Sequence, residues 1–334
     1  MSSNTRAALI TGVTGQDGWY LAETLLKRGY DVVGTTHRHQ AVGSMRIGED
    51  DVSVVKLDVT NTNDVEDMIR AQLFDEAYNL AARASSDQLF DDALTTSDVN
   101  GMAVARFLEA IRRYSPSTRF CQASSSEVFA GSPISPQDET TSRIPLNAYG
   151  AAKAFGDDLV RAYRHAYGLF ACSAVLYTHE SPRRSPGFLM RKVSMAVAEV
   201  AAGLAESVNL RNLNSRRDWG FAPDYVEAMR RMLQAEEPRD YVIATGEAHT
   251  VQDVCETAFG HVGLDWQHHV IVTPDTGPPR EENLRIGDAS RARADLGWAP
   301  TVSFSELVTL MVDADRSLIN GSRSSNPSGN VFTD

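Results

Sequence analysis

Two short stretches carry side chains whose types could do chemistry together. QASSSEVF holds Ser125, Ser126 and Glu127 at the end of an apolar run, and NAYGAAKA holds Tyr149 and Lys153 four residues apart. That spacing puts the phenol and the ammonium on one face of a helix. An ammonium beside a phenol favours the phenolate and brings its pKa down from about 10. Such a phenolate takes a proton from a substrate hydroxyl while a serine hydroxyl holds the same oxygen in place. A lone Tyr–Lys pair of this spacing is common on exposed helix turns, so the serine cluster at a strand end is what makes it a candidate. Glu127 reads two ways from the residues alone: a loop carboxylate in water, or a base set beside the serines.

The elements around these groups point to what they act with. AALITG at 7–12 reads as a first strand, and a helix follows from Gln16 to Arg28. Between them TGVTGQDG sets Gly12, Gly15 and Gly18, with Thr14, Gln16 and Asp17 in the same loop. Glycines there let the backbone approach a pyrophosphate, and the helix N-terminus offers free N–H groups and a positive dipole end. A dinucleotide is therefore expected. A second strand ending in Asp or Glu would meet the ribose 2′-hydroxyl of NAD. Here it ends Thr35-Thr36-His37-Arg38, a hydroxyl pair and a cation that suit a 2′-phosphate, so NADP is favoured over NAD. Asp58, closing the third strand, is placed to accept from adenine. Val59, and Leu80, Ala81 and Ala82 closing the fourth, are also cofactor candidates, because ligands sit at the carboxyl ends of such strands.

Further strand-like runs at 31–36, 52–57, 76–82, 119–124, 170–177 and 241–246 alternate with helical patterns. The alternation predicts an α/β fold, a Rossmann-type doubly wound parallel sheet with helices on both faces. After Tyr177 the rhythm weakens. The sequence divides into a dinucleotide-binding domain of 1–178 plus about 217–262 and a smaller, discontinuous substrate-binding lobe of about 179–216 plus 263–320. A polar tail of 321–334 follows.

The 334 residues carry a formal net charge of -12. An acidic surface repels phosphate backbones and anionic lipid, so neither nucleic acid nor membrane is an expected partner. Three widely spaced cysteines, Cys121, Cys172 and Cys255, read as buried reduced thiols. No run is apolar and long enough to span a bilayer, and the first residues lack a signal-like apolar stretch. A cytoplasmic protein is expected. No metal is expected: H-E-x-x-H and C-x-x-C are absent, and His268 and His269 are adjacent rather than spaced as ligands.

Longer motifs carry a resemblance. ALITGVTGQDGWYLAE, YNLAA, QASSSEVF, YGAAK, HESPRR, RDWGFAPDYVEAM, YVIATGE and LGWAP follow one another along most of the chain. In that order they resemble the extended short-chain dehydrogenase/reductases and, within them, the GDP-mannose 4,6-dehydratase family. The resemblance implies a hydro-lyase that holds NADP tightly and regenerates it in each cycle. It implies that Ser125, Tyr149 and Lys153 oxidise a sugar at C4, and that Glu127 is the base that removes the C5 hydrogen before water leaves from C6. It makes His179 and Arg184 cofactor contacts and Arg191, Lys192 and Arg217 substrate contacts, with Ser126 nearby. It also implies a homodimer or homotetramer.

The expected substrate pocket departs from the family pattern. Arg83 and Ala84 stand for Gln and Ser, Leu146 for an Arg, Thr178 for an Asn and Pro278 for an Arg. The loop HRHQAVGSMR looks shortened. Each lost polar group would leave a substrate oxygen unpaired, at about 1–3 kcal/mol. Two substrates are therefore open: a nucleotide sugar, with Arg83 and Arg280 as substitute phosphate ligands, or a phosphate-poor nucleoside carried to an exocyclic enol ether. Glu281 is a further candidate substrate contact. A non-catalytic dinucleotide sensor is disfavoured because Tyr, Lys and Glu are all present.

Overall fold

The structure is a computed structural model that describes residues 5–84, 92–273 and 284–325. The predicted strands form one sheet: β1 Ala7–Thr11, β2 Asp31–Thr36, β4 Asp50–Lys56, β5 Glu76–Asn79, β6 Arg119–Ser125, β7 Ala171–Leu176 and β12 Tyr241–Ile243. Their order is β12-β7-β6-β5-β1-β2-β4, with β3, Gly43–Ile47, on the outer edge. The seven predicted strands run parallel. Every residue of β1 and of β7 is buried, as a strand covered on both faces requires. The strand order turns at β1, which pairs with β2 on one side and β5 on the other, so the carboxyl ends part there and leave a crevice.

Two helical layers cover the sheet. On one face Leu21 and Leu25 of α1 (Gln16–Leu26) pack with Val226 and Met229 of α7 (Ala222–Met232). On the other, Val65 and Ile69 of α2 (Thr62–Ala71) join Phe107 and Ile111 of α4 (Ala103–Tyr114) and Val160 of α5 (Ala148–Tyr167). α4 is entered through α3, Ala93–Ser97, and a π-turn over Asp98–Met102. β3 lies in the stretch that the sequence reads as a loop. It forms a hairpin with β4 through Gly48, whose φ of 60° favours glycine, and it buries only Ile47 fully. An edge strand with so little apolar content leaves almost no periodic signal.

The smaller lobe has its own core, built from α6 (Leu189–Ala201), α8 (Val251–His261) and α10 (Phe304–Ser325) with Trp219. Short strand pairs tie it together. β8 (Thr178–Glu180) pairs with β11 (Trp219–Phe221), β9 (Val208–Leu210) with β14 (Val270–Val272), and β10 (Arg216–Arg217) with β13 (His249–Thr250). Core membership cuts the chain differently from the sequence boundaries. Val254 and Phe259 of α8 pack with the lobe, whereas Ala292 of α9 (Ser290–Leu296) and Trp298 pack beneath the sheet. Strand–helix rhythm assigns α8 to the sheet, but its apolar face is answered by Met190 and Val193.

Candidate active site

The loop between β1 and α1 is a cradle that side chains would fill. Gly12 has φ of 68°, and a Cβ there would lie 3.2 Å from the backbone of Ala81. A Cβ on Gly18 would lie 2.5 Å from the Gly12 carbonyl oxygen, so α1 can sit against the loop only with glycine there. Gly15 is the N-cap of α1 and no side chain caps that end. The first N–H groups of α1 are thus left for an anion, the donor set a pyrophosphate requires. Thr14 is exposed at the loop tip. Leu80 and Ala81 donate their N–H groups to Thr11 Oγ1 at 3.0 and 2.9 Å, which fixes the far wall. Ala82 is exposed beyond them, and Val59 is buried. Asp58 accepts from Thr60 N at 2.9 Å and Thr60 Oγ1 at 2.7 Å, and Arg38 is exposed past the end of β2.

Gln16 and Asp17, in the first turn of α1, hold the segment after β7. Ser181 donates to Gln16 Oε1 at 2.8 Å, and His179 meets Asp17 Oδ2 at 2.9 Å. The other ring nitrogen, Nδ1, is 2.7 Å from the Tyr177 carbonyl oxygen, which can only accept. Facing an ionised Asp17, both ring nitrogens are set to donate, which favours the imidazolium form. Burial alone would lower the His179 pKa, but Asp17 raises it overall. Burial would likewise raise Asp17, yet the charge and hydrogen bond of His179 bring its carboxyl down to about 2. The imidazole also stacks on Tyr225, centroid to centroid 4.6 Å. Arg184 lies 3.2 Å from the buried Glu180 carboxylate and over the ring of Phe188.

The catalytic candidates come together where β6 ends against the start of α5. Ser125 caps a short 3-10 turn over Ser126–Phe129, accepting from Glu127 N at 3.2 Å, and Ser126 is buried in that turn. Asn147 caps α5, its Oδ1 accepting from Gly150 N at 2.7 Å. Its Nδ2 donates to Glu127 Oε2 at 2.8 Å, so one side chain starts the helix and grips the carboxylate. Gly150 allows the contact: a Cβ there would lie 2.6 Å from the Glu127 carbonyl oxygen. Tyr149 and Lys153 are buried on the same face of α5. Lys153 Nζ donates to the Ala123 carbonyl at 2.7 Å and lies 5.7 Å from the centre of the Tyr149 ring.

Burial dominates these ionisations. It pushes the Tyr149 phenol up to about 12, against a hydrogen bond from Ser125 that lowers it, while the Glu127 charge adds to the rise. Burial also brings Lys153 down to about 8. The lowered phenol expected from the Tyr–Lys spacing is not what the fold gives, because burial outweighs the hydrogen bond of Ser125. For Glu127, burial would raise the carboxyl. Arg285, the Asn147 hydrogen bond and Arg217 hold it below the usual carboxylate range instead.

Several site groups escape the sequence reading. Arg285 Nη1 contacts Glu127 Oε1, from a residue 158 positions along the chain. A buried polar chain runs across the strand ends: Thr11 to Asn79 at 2.8 Å, Asn79 to Gln122 at 2.7 Å and Gln122 to the Ala123 carbonyl at 2.8 Å, the same carbonyl that receives Lys153. Asp157, one turn beyond Lys153, is fully buried and accepts from Ser124 Oγ at 2.6 Å. An asparagine just before an apolar helical face is a readable cap signal, but the other groups carry none in one sequence.

The expected substrate contacts are scattered in their engagements. Arg191 is buried and paired with Asp315 at 2.7 Å inside the lobe. Lys192 donates to the Asn209 carbonyl at 2.7 Å, and Arg83 points to Asp92 at 3.3 Å. Thr178 is in β8 beside Trp219, and Arg217 of β10 is close enough to act on Glu127. Arg280 and Glu281, with Pro278, lie outside the described residues. Among the described residues no group of three or more His, Cys, Asp or Glu could hold a metal ion. No described helix is long and apolar enough to cross a membrane.

Comparison with known proteins gives the family of the chain. The sequence model of the GDP-mannose 4,6 dehydratase family matches residues 9–311. GDP-mannose 4,6 dehydratase 2 of Arabidopsis thaliana is 42% identical over 94% of this chain and 87% of its own. The Homo sapiens GDP-mannose 4,6 dehydratase is 39% identical over 96% of this chain and 94% of its own. Among solved structures, the UDP-glucose 4-epimerase of Thermotoga maritima superposes with a TM-score of 0.82 at 21% identity, covering 94% of this chain and 99% of that one. The dTDP-glucose 4,6-dehydratase of Bacillus anthracis gives 0.77 at 20% identity, covering 96% and 97%. These two likenesses carry the fold alone. By the family match and the identity along nearly its whole length, the chain belongs to the GDP-mannose 4,6-dehydratase family.

Proposed function

We propose that the protein is a 4,6-dehydratase of GDP-mannose that works on a bound nicotinamide dinucleotide. The observation that carries this reading is Glu127, a carboxylate set beside Ser125, Tyr149 and Lys153. Oxidation or reduction at one carbon needs no such second base, whereas elimination does.

A dinucleotide held by the Gly12–Gly18 loop and the uncapped start of α1 would supply the hydride acceptor for sugar C4 and the hydride donor for C6. The protein's residues do the rest. Ser125 holds the C4 oxygen and Tyr149 takes its proton. Lys153, fixed on the Ala123 carbonyl, keeps positive charge near the phenol. The C4 ketone acidifies the hydrogen on C5. Glu127 removes it as a proton and passes it to the C6 hydroxyl, which leaves as water. Tyr149 then returns its proton to C5 as C6 is reduced. The protons balance, one water is lost, and no dinucleotide is consumed.

NADP is the proposed form of the cofactor, on the strength of the exposed Arg38 following Thr36, whose hydroxyl accepts from Arg38 N at 3.2 Å. A cytoplasmic setting is supported by three buried free thiols, two of which, Cys121 and Cys172, face each other across β6 and β7 without being joined. Exposed apolar side chains at Leu94, Met102 and Phe155 suit a homodimer or homotetramer. Glu127→Gln tests the chemistry. It should keep the dinucleotide and lose about 10²–10⁴ in turnover, the contribution of a positioned base. Dehydration at the parent rate would remove Glu127 from this role.

A further inference from the structure

The carboxylate at the centre of this site is held by a residue that belongs to neither the phosphate loop nor the Ser–Tyr–Lys set. Glu127 and Arg285 are both mostly shielded, their side chains 20% and 17% exposed. A carboxylate so placed would tend to take up a proton and stop being a base. Arg285 contacts Oε1 while Asn147 holds Oε2, so each carboxylate oxygen has its own partner.

Arg285 is itself built in. Gln137, fully buried, donates its N–H to the Ile286 carbonyl at 2.8 Å and receives Asp288 N at 2.8 Å. Its side chain donates to the Leu284 carbonyl at 3.0 Å and accepts from the Tyr177 hydroxyl at 2.7 Å. Gly287 N donates to Asp218 Oδ2 at 3.2 Å, and a Cβ on Gly287 would lie 2.3 Å from the Ala244 side chain. Segment 284–288 is thus fastened on either side of Arg285, by Gln137 and by Asp218.

We propose that Arg285 is the positioning residue that keeps Glu127 ionised and aimed in the substrate-free site. The proposal rests on reading Glu127 as the proton acceptor of the reaction. The other groups facing Glu127 are Arg217 from β10, Asn147 and Tyr149 from the start of α5, and Ser125 from its own turn. Arg217 acts in the same direction as Arg285, and the Tyr149 phenol is uncharged at neutral pH. Arg285 contacts the carboxylate directly.

The test is a carboxyl titration that needs no turnover. Protein labelled with ¹³C at the glutamate carboxyl is followed by NMR, with Glu127 assigned by its loss in Glu127→Gln. The parent midpoint should lie below the ordinary glutamate range. In Arg285→Leu it should rise by about 1–3 pH units, the usual effect of an adjacent arginine. Arg285→Lys should restore most of the difference, and Arg285→Gln serves as the uncharged variant if the leucine one does not fold. In kcat/KM the acid limb should rise with the midpoint, so the loss in Arg285→Leu should be larger at acid than at alkaline pH, while dinucleotide retention stays near the parent's. An unmoved Glu127 midpoint overturns the proposal. So does an equal loss at every pH with a raised KM, which would make Arg285 a substrate contact. A midpoint that moves while the acid limb does not would keep the clamp but remove Glu127 from the base role, so the two readings fail separately.

Discussion

Asp17→Asn should destabilise the protein in one pH window and not outside it. In the parent, the Asp17 carboxyl falls from an ordinary 3.8 to about 2 because the His179 imidazolium faces it. Each pKa unit is worth about 1.4 kcal/mol, so the buried pair contributes about 2 kcal/mol, counted once for both partners. The sign follows from each group. Asp17, with a lowered pKa, contributes above its unfolded value near 4 and loses that contribution as pH falls toward about 2. His179, with a raised pKa, contributes below its unfolded value near 6.5 and loses it as pH rises through the folded value. The pair is therefore strongest between about pH 4 and pH 6.5. Thermal melts of parent and variant should differ there by about 3–5 °C, by the usual scaling for a domain of this size. The gap should shrink above neutrality as the imidazolium is lost. Other groups titrate equally in both proteins and cancel in the difference. A gap that is absent at pH 5.5, or constant from about pH 5 to pH 9, would refute the charged pair. Because Asp17 and His179 join α1 to the segment after β7, the variant should also release its dinucleotide faster.

Other perturbations separate packing from charge. Gly18→Ala drives a Cβ to 2.5 Å from the Gly12 carbonyl oxygen, so it should cost about 1–3 kcal/mol and weaken dinucleotide binding in a fluorescence titration. Gly260→Ala, where a Cβ meets nothing within 4 Å, is the control and should leave binding unchanged. Burial pushes the Asp157 carboxyl up from 3.8 to about 6, so its ionisation costs stability progressively as pH rises between those values, and the cost is complete above about 6. Asp157→Asn should therefore gain on the parent between pH 4 and pH 8, by at most about 3 kcal/mol. An equal melting difference at both pH values would contradict this.

The site divides into parts that a single sequence can and cannot display. Gly12 and Gly18 were readable because their constraint is local: a turn and a close approach beside a strand end. Tyr149 and Lys153 were readable because helical spacing alone puts them on one face. Ser125 and Glu127 needed the longer motif to choose between water and catalysis, since a strand end gives no sign of what packs above it. Arg285 was not legible at all. Its contact with Glu127 depends on how Gln137 and Asp218 fasten segment 284–288, an arrangement made only by the folded chain. The same limit applies to Arg191. The resemblance makes it a substrate contact, and nothing in the sequence shows that Asp315, reaching over from α10, pairs with it at 2.7 Å. β3 went unread because a hairpin edge with one buried residue has no period to detect.

The central claim is that oxidation, elimination and reduction are completed on one substrate by this set of residues. Protein isolated with its dinucleotide, incubated with GDP-mannose and followed by mass spectrometry and absorbance, tests it directly. The account predicts a product lighter by one water, with no net change in reduced dinucleotide, and no such product from Glu127→Gln. Stoichiometric reduction of the dinucleotide without loss of water would contradict it.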